Sequence, residues 1–211
     1  MVGSLIIIIG MVLIDFLPKS MDTLMLALAL VMVLYKYDKF LRKNEVYLYL
    51  FTLVYAILSV FFYENRFLYL IDTGSLGLAC LLVVLFAGVF PDKLEITRLL
   101  RRNRKMVSIL GFLLIVPHGF INLFVEQQVG IFGISAMVIM IPLFITSFIV
   151  IRKEMKAKDW KMLHKLAYLA YLAFFIHIII MGDWINKITY SVLLALYINN
   201  KLIKELRQWV F

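Results

Sequence analysis

Long apolar runs separated by short basic stretches constrain this chain more than any other feature. Of its 211 residues, 64% are hydrophobic and 17% are charged, and the mean hydropathy is +0.97. A soluble domain carries about 25% charged residues, and barrel strands would alternate apolar with polar residues. We therefore predict an all-α fold, a polytopic transmembrane bundle of about eight helices. The apolar runs are residues 3–17, 21–36, 46–63, 67–90, 106–126, 129–151, 163–181 and 184–200.

Basic residues are divided unevenly between the connections. Along the predicted spans, 19 of the 22 Lys and Arg residues fall on one face. Because basic connections are retained in the cytoplasm, this predicts a multi-pass protein of the cytoplasmic membrane with both termini inside. The net charge of +9 then reflects topology and suits anionic lipid or an acidic partner, without requiring nucleic acid. Only Lys19, Arg66 and Lys187 remain for the other face.

Two histidines lie at matching depths in two spans that run in the same direction. His118 is 13 residues beyond Lys105, and His177 is 12 residues beyond Lys165. Each imidazole is therefore roughly 18–20 Å from the inner boundary of the membrane. Neutral imidazole is a good axial ligand of heme iron, and ionisable groups at this depth are costly. The pair predicts a heme held between two helices; the alternative is two polar side chains hydrogen-bonded to neighbouring helices.

The third histidine, His164, is predicted at the inner end of its helix, 13 residues before His177. No histidine stands at the corresponding depth of the other helix, where the sequence has Lys105 and Met106. His164 is thus either an interfacial residue or a ligand of a second, loosely held cofactor. Cys80 is the only cysteine, which excludes an intrachain disulfide and an iron–sulfur cluster held by this chain alone.

Two stretches of the chain resemble the ferric-reductase-type transmembrane domain. Residues 159–169 carry the pattern Trp-x-x-Leu-His and a Tyr-Leu step, and a second histidine follows 13 positions after the first. Residues 101–111 are similar to that family's basic loop and lead into the helix of His118. Within the superfamily, the chain most resembles the heme-binding membrane subunit of the bacterial methionine sulfoxide reductase system.

This resemblance covers about residues 46–205, which corresponds to a six-helix core. It implies a heme-binding transmembrane domain at residues 46–211; residues 1–45, which the resemblance does not explain, are predicted to be an N-terminal helical hairpin addition. It further implies one heme b with His118 and His177 as axial ligands, and His164 on the inner side. Related oxidases have four histidines and two hemes, so a second heme is left open here.

The resemblance also implies a source of electrons in the cytoplasm. Soluble flavin reductases, or a bound flavin such as FMN, feed subunits of this kind, and Arg101 and Arg102 could meet a flavin phosphate. The alternative for these two arginines is that they only set the topology. A quinone is the other candidate donor.

The function predicted from the sequence is therefore electron transfer by a heme b membrane protein. Electrons would pass from the cytoplasmic flavin, flavoprotein or quinone to a redox protein or small acceptor on the outer face. The chain would be a redox subunit without a nucleotide-binding domain of its own. The alternative is a transporter or channel in which Asp72, His118 and His177 carry protons or ions.

Overall fold

The computed structural model describes residues 18–63, 70, 73–91, 93–127 and 130–210. All regular secondary structure in these residues is helical, which confirms the prediction of an all-α fold. The first predicted span and the first arm of the predicted N-terminal hairpin lie outside the described residues.

Seven longer helices and two short ones occupy this part of the chain. The short helices, α6 and α7, form the connection between two of the longer ones. In chain order the helices are α1 (Lys19–Lys43), α2 (Glu45–Phe61), α3 (Ser75–Phe86), α4 (Glu95–Phe124), α5 (Ile131–Ile145), α6 (Ile149–Glu154), α7 (Ala157–His164), α8 (Leu166–Met181) and α9 (Trp184–Val210).

Among the residues that the structure describes, two stretches are long and apolar enough to cross a membrane, namely α4 and the continuous stretch Ala157–Met181. Helices α2, α3 and α5 are apolar but shorter. Large apolar side chains point away from the core, as shown by Tyr47 of α2, which is 73% exposed, and Phe51, which is 70% exposed. Such a surface suits lipid rather than water.

The run at residues 129–151, predicted as one span, is interrupted in the structure. Helix α5 ends at Ile145 and α6 begins at Ile149. The hydroxyl groups of Thr146 and Ser147 donate to the carbonyl oxygens of Pro142 and Leu143, each at 2.7 Å. Hydroxyl groups that bond back to carbonyls in this way bend helices.

Helix α4 begins at Glu95, well before the predicted span that starts at residue 106. Its first turns are amphipathic, because Leu99, Leu100 and Asn103 are buried while Arg98 and Arg101 are not. The charged residues therefore belong to the helix instead of forming a loop. We refer to this end of the bundle as the inner end and to the opposite end as the outer end.

Helix α3 is the most buried element and packs closely on α4. A Cβ atom at Gly77 would lie 2.7 Å from the backbone nitrogen of Ile115, and one at Gly111 would lie 2.9 Å from Cβ of Cys80. Small residues that allow backbones to approach this closely are typical of contacts between membrane helices. This contact fixes the position of α4 just before His118.

Helix α1 is fastened to the rest of the bundle at both ends. At the outer end, the backbone N–H of Ser20 donates to Oδ1 of Asn186 at 2.8 Å. At the inner end, Asp38 accepts a hydrogen bond from Nδ2 of the fully buried Asn103 at 2.7 Å. Arg42 and Arg102 contact the same carboxylate at 3.1 and 2.8 Å.

We expect Asp38→Ala to lower the free energy of unfolding by about 1–2 kcal/mol, because it removes a buried acceptor and two ion pairs with half-exposed arginines. Burial alone would raise the pKa of Asp38, but the hydrogen bond from Asn103 and the two arginines lower the pKa below its ordinary value. The stabilisation should therefore be complete at neutral pH and disappear as pH falls below about 3.9.

Thermal unfolding in detergent at two pH values tests this prediction. Glu45→Gln is the matched control, because it breaks the exposed pair between Glu45 and Lys105 at 2.9 Å. The control should change stability by less than about 0.5 kcal/mol. Equal effects of the two substitutions would contradict the role assigned to Asp38.

Candidate functional site

A cavity of about 460 Å³ lies at the outer end and contains both His118 and His177. We call it the outer cavity. Its volume lies within the roughly 300–1,000 Å³ that is usual for cofactor sites. Its deeper wall is apolar and includes Ile115, Met137 and Phe174. The two histidines that the sequence placed at matching depths thus line one space.

The ring of His177 packs against two glycines of the neighbouring segment. A Cβ atom at Gly130 would lie 2.7 Å from Nδ1 of His177, and one at Gly133 would lie 3.0 Å from Cε1. Nδ1 is buried and has no hydrogen-bond partner among the described residues. A buried polar atom in this state costs about 1–3 kcal/mol, and it is expected where a bound group is part of the site.

The ring of His118 is held from two sides. Gly74, which precedes α3 with a φ of 73°, approaches closely enough that a Cβ atom would lie 3.1 Å from Cγ and Cδ2 of His118. Asn122, one turn further along α4, places Nδ2 at 3.1 Å from Nδ1 of His118 and at 2.8 Å from its carbonyl oxygen. Gly74 and Asn122 therefore fix the orientation of the His118 ring in the outer cavity.

A second cavity, of about 570 Å³, lies at the inner end and contains His164. We call it the inner cavity. Within the described chain, no second histidine and no carboxylate line it. Its walls are aromatic and its rim is basic. The basic residues are Arg104, Lys105, Arg152, Lys161, Lys165 and Lys201, and the aromatic ones are Phe112, Phe144, Trp160, Tyr168, Tyr171, Phe174 and Tyr197.

His164 forms a hydrogen bond with Thr146 and a ring contact with Trp160. Its Nε2 lies 3.1 Å from Oγ1 of Thr146, whose hydroxyl proton is directed to the carbonyl oxygen of Pro142 at 2.7 Å. Since a hydroxyl has one proton, Thr146 accepts from His164, which then carries its proton on Nε2. The ring of Trp160 stacks over the imidazole at 4.1 Å between centroids.

Arg101 and Arg102 do not line the inner cavity. Nε of Arg101 donates to the carbonyl oxygen of Ala87 at 3.3 Å, and Arg102 pairs with Asp38. In their place, Arg104 and Lys105 of the same helix line it. Asp72, the carboxylate of the transport alternative, lies outside the described residues.

Phe174 is the one residue that lines both cavities in the described part of the chain. It is 6% exposed, and it lies on α8 between His164 and His177. One turn earlier, the hydroxyl of Tyr171 donates to the carbonyl oxygen of Leu81 at 3.0 Å, which ties α8 to α3. The two cavities therefore meet at Phe174, which packs in an apolar cluster with Leu81, Ile115, Ala136 and Ala173.

Comparison with known families gives one match. Residues 73–175 are similar to the ferric reductase like transmembrane component family. This ferric-reductase-like segment runs from the start of α3 into α8 and contains His118 and His164, and it ends two residues before His177. No curated protein and no solved structure matches the chain. The ferric-reductase-like segment indicates a membrane protein of electron transfer.

Several residues of the outer cavity were not predicted from the sequence. The contacts of Gly74, Gly130 and Gly133 with the two imidazole rings could not be predicted, because they join residues far apart in the chain. Asn122 carries a usable signal, because a polar side chain four residues after His118 shares its helix face. No cluster of three or more metal-binding side chains occurs in the described chain, and a heme requires only two.

Proposed function

We propose that this protein binds one heme b between His118 and His177 and transfers electrons across the cytoplasmic membrane. The observation that carries the proposal is that both imidazoles line one cavity of suitable size, on two helices packed in the same bundle. Similarity to the ferric reductase like family supports the same class of function. The finer resemblance, to the heme-binding subunit of the methionine sulfoxide reductase system, is part of the proposal.

The residues present fit such a group. The buried Nδ1 of His177 lacks a partner among the described residues, and the adjacent glycines hold the ring in place. For His118 to ligate through Nε2, Nδ1 must carry the proton, and Asn122 must give up its hydrogen bond to the carbonyl oxygen of His118 so that its own amide oxygen can accept that proton. Heme with two imidazole ligands has no open coordination position and serves single-electron transfer.

The inner cavity is the proposed site at which the electron donor approaches. Its aromatic walls suit a planar ring, and its six basic side chains, with no carboxylate among the described lining residues, suit an anionic group. A flavin such as FMN, presented by a reductase, combines these two properties better than a neutral quinone. Arg104 and Lys105 are better placed for it than Arg101 and Arg102.

His164 is proposed to organise the inner cavity. Its hydrogen bond to Thr146 uses Nε2, and the cavity offers no second imidazole among the described residues. The Lys and Arg distribution supports an orientation with the inner end in the cytoplasm, so that electrons leave at the outer face to an external redox protein or small acceptor.

A reduced-minus-oxidised spectrum of the purified protein, with heme quantified per chain, tests this function. We expect the Soret and α bands of a six-coordinate low-spin heme b and a stoichiometry of one. A protein that never binds heme, expressed in heme-replete cells, would contradict electron transfer by this chain. A stoichiometry of two would contradict the role proposed for His164.

A further inference from the structure

The outer cavity is mainly apolar, and its described lining carries basic charge at one side chain besides the two histidines. Lys19 is the one basic side chain that lines it, and no acidic side chain does so, in the part of the chain described. Thr73 and Ser75, joined by a hydrogen bond of 3.1 Å between their hydroxyl groups, line the same cavity with Asn186. The opposite wall, toward Phe174, is apolar.

Hydrogen bonds fix the backbone around Lys19 at the outer cavity. Its carbonyl oxygen accepts a hydrogen bond from Oγ1 of Thr23 at 2.9 Å. The next residue, Ser20, is fully buried and donates its backbone N–H to Asn186. Asn186 is itself held by both carboxylate oxygens of Asp183, at 2.8 and 3.0 Å. The first turn of α1 is therefore anchored against the start of α9.

From this arrangement we infer that Lys19 is the counter-charge for a carboxylate of the heme in the outer cavity. Heme b has an apolar ring with two propionate groups on one edge, and this shape matches a cavity with an apolar wall and a single cationic edge. The inference rests on the proposed function. It assigns a binding role to α1, which lies outside the ferric-reductase-like segment at residues 73–175.

Lys19 should affect the heme in two measurable ways. A cation near the iron favours the reduced, less positive state, so its removal should lower the midpoint potential. Lys19 is exposed, so its ion pair with a carboxylate contributes modestly, and its loss should accelerate the transfer of heme to a scavenger protein by up to about fivefold. Both effects should shrink as ionic strength rises.

The test uses the full chain, loaded with heme, and four variants. Lys19→Gln should lower the potential and accelerate heme loss, Lys19→Glu should do both more strongly, and Lys19→Arg should behave as the wild type. Lys187→Gln is the matched control, because it removes an exposed lysine from the same end that does not line the cavity. It should change neither quantity.

Reconstitution with heme dimethyl ester separates a carboxylate contact from a distant charge effect. With the propionates esterified, Lys19→Gln and the wild type should lose the ligand at equal rates. Equal rates of loss of ordinary heme by Lys19→Gln and the wild type, or unequal rates of loss of the ester, would overturn the inference. A wild-type protein without heme would instead contradict the proposed function, so the two failures are distinguishable.

Discussion

His177→Ala and His118→Ala are each expected to abolish the low-spin heme spectrum. Removal of either imidazole leaves the iron with one protein ligand in a cavity lined mainly by apolar side chains. Loss of a residue that only hydrogen-bonds to a metal ligand already weakens metal binding by about 10–100-fold. Loss of the ligand itself should therefore weaken heme binding by more than this. Heme content and the position of the Soret band in the purified variants measure the effect.

His164→Ala is the matched control for these two substitutions. It removes an imidazole of the same size from α7, together with its bond to Thr146, but it leaves the outer cavity intact. We expect normal heme content for this variant. Imidazole added to His177→Ala should restore a low-spin spectrum if the variant is folded. Normal heme in His177→Ala, or loss of heme only in His164→Ala, would contradict the assignment of the ligands.

Gly130→Ala is expected to have the second largest effect. The new methyl group would lie 2.7 Å from Nδ1 and 2.8 Å from Cε1 of His177, so the ring must move. Overpacking of this kind costs about 1–3 kcal/mol, and a ligand ring displaced from its position binds iron poorly. We expect lower heme content and a changed electron paramagnetic resonance spectrum. Gly133→Ala, at 3.0 Å from Cε1, should have the same effect in weaker form.

Gly88→Ala is the matched control, because it replaces a glycine by alanine where the new Cβ atom has room. Its Cβ atom would lie 3.7 Å from the nearest neighbouring atom, the carbonyl oxygen of Leu85, which is an ordinary contact. This variant should retain normal heme and stability. Identical spectra for Gly130→Ala and Gly88→Ala would show that the close approach of Gly130 to His177 does not position the ligand.

The sequence was sufficient for features that depend on periodicity and distance along the chain. Hydropathy identified an all-α chain, and equal spacing from basic residues placed His118 and His177 at the same depth, which agrees with their position in one cavity. Such inferences rest on the constant rise of a helix, which converts a count of residues into a distance along the helix axis.

Periodicity and residue spacing could not predict features that depend on contacts between distant segments of the chain. A basic run gives the end of a helix but not the direction of each side chain, so the sequence could not show that Arg102 turns to Asp38 while Arg104 turns to the inner cavity. The break after Ile145 depends on the hydroxyl groups of Thr146 and Ser147, which an apolar run conceals. The approach of Gly130 to His177 likewise joins residues far apart in the chain.

The contact of Phe174 with both cavities has a consequence for the proposed function. An electron can tunnel through the thickness of one benzyl group, whereas water and protons require a continuous hydrated path. Under the proposed function, the apolar cluster of Phe174, Leu81, Ile115, Ala136 and Ala173 would let electrons pass between the cavities while it excludes a continuous file of water.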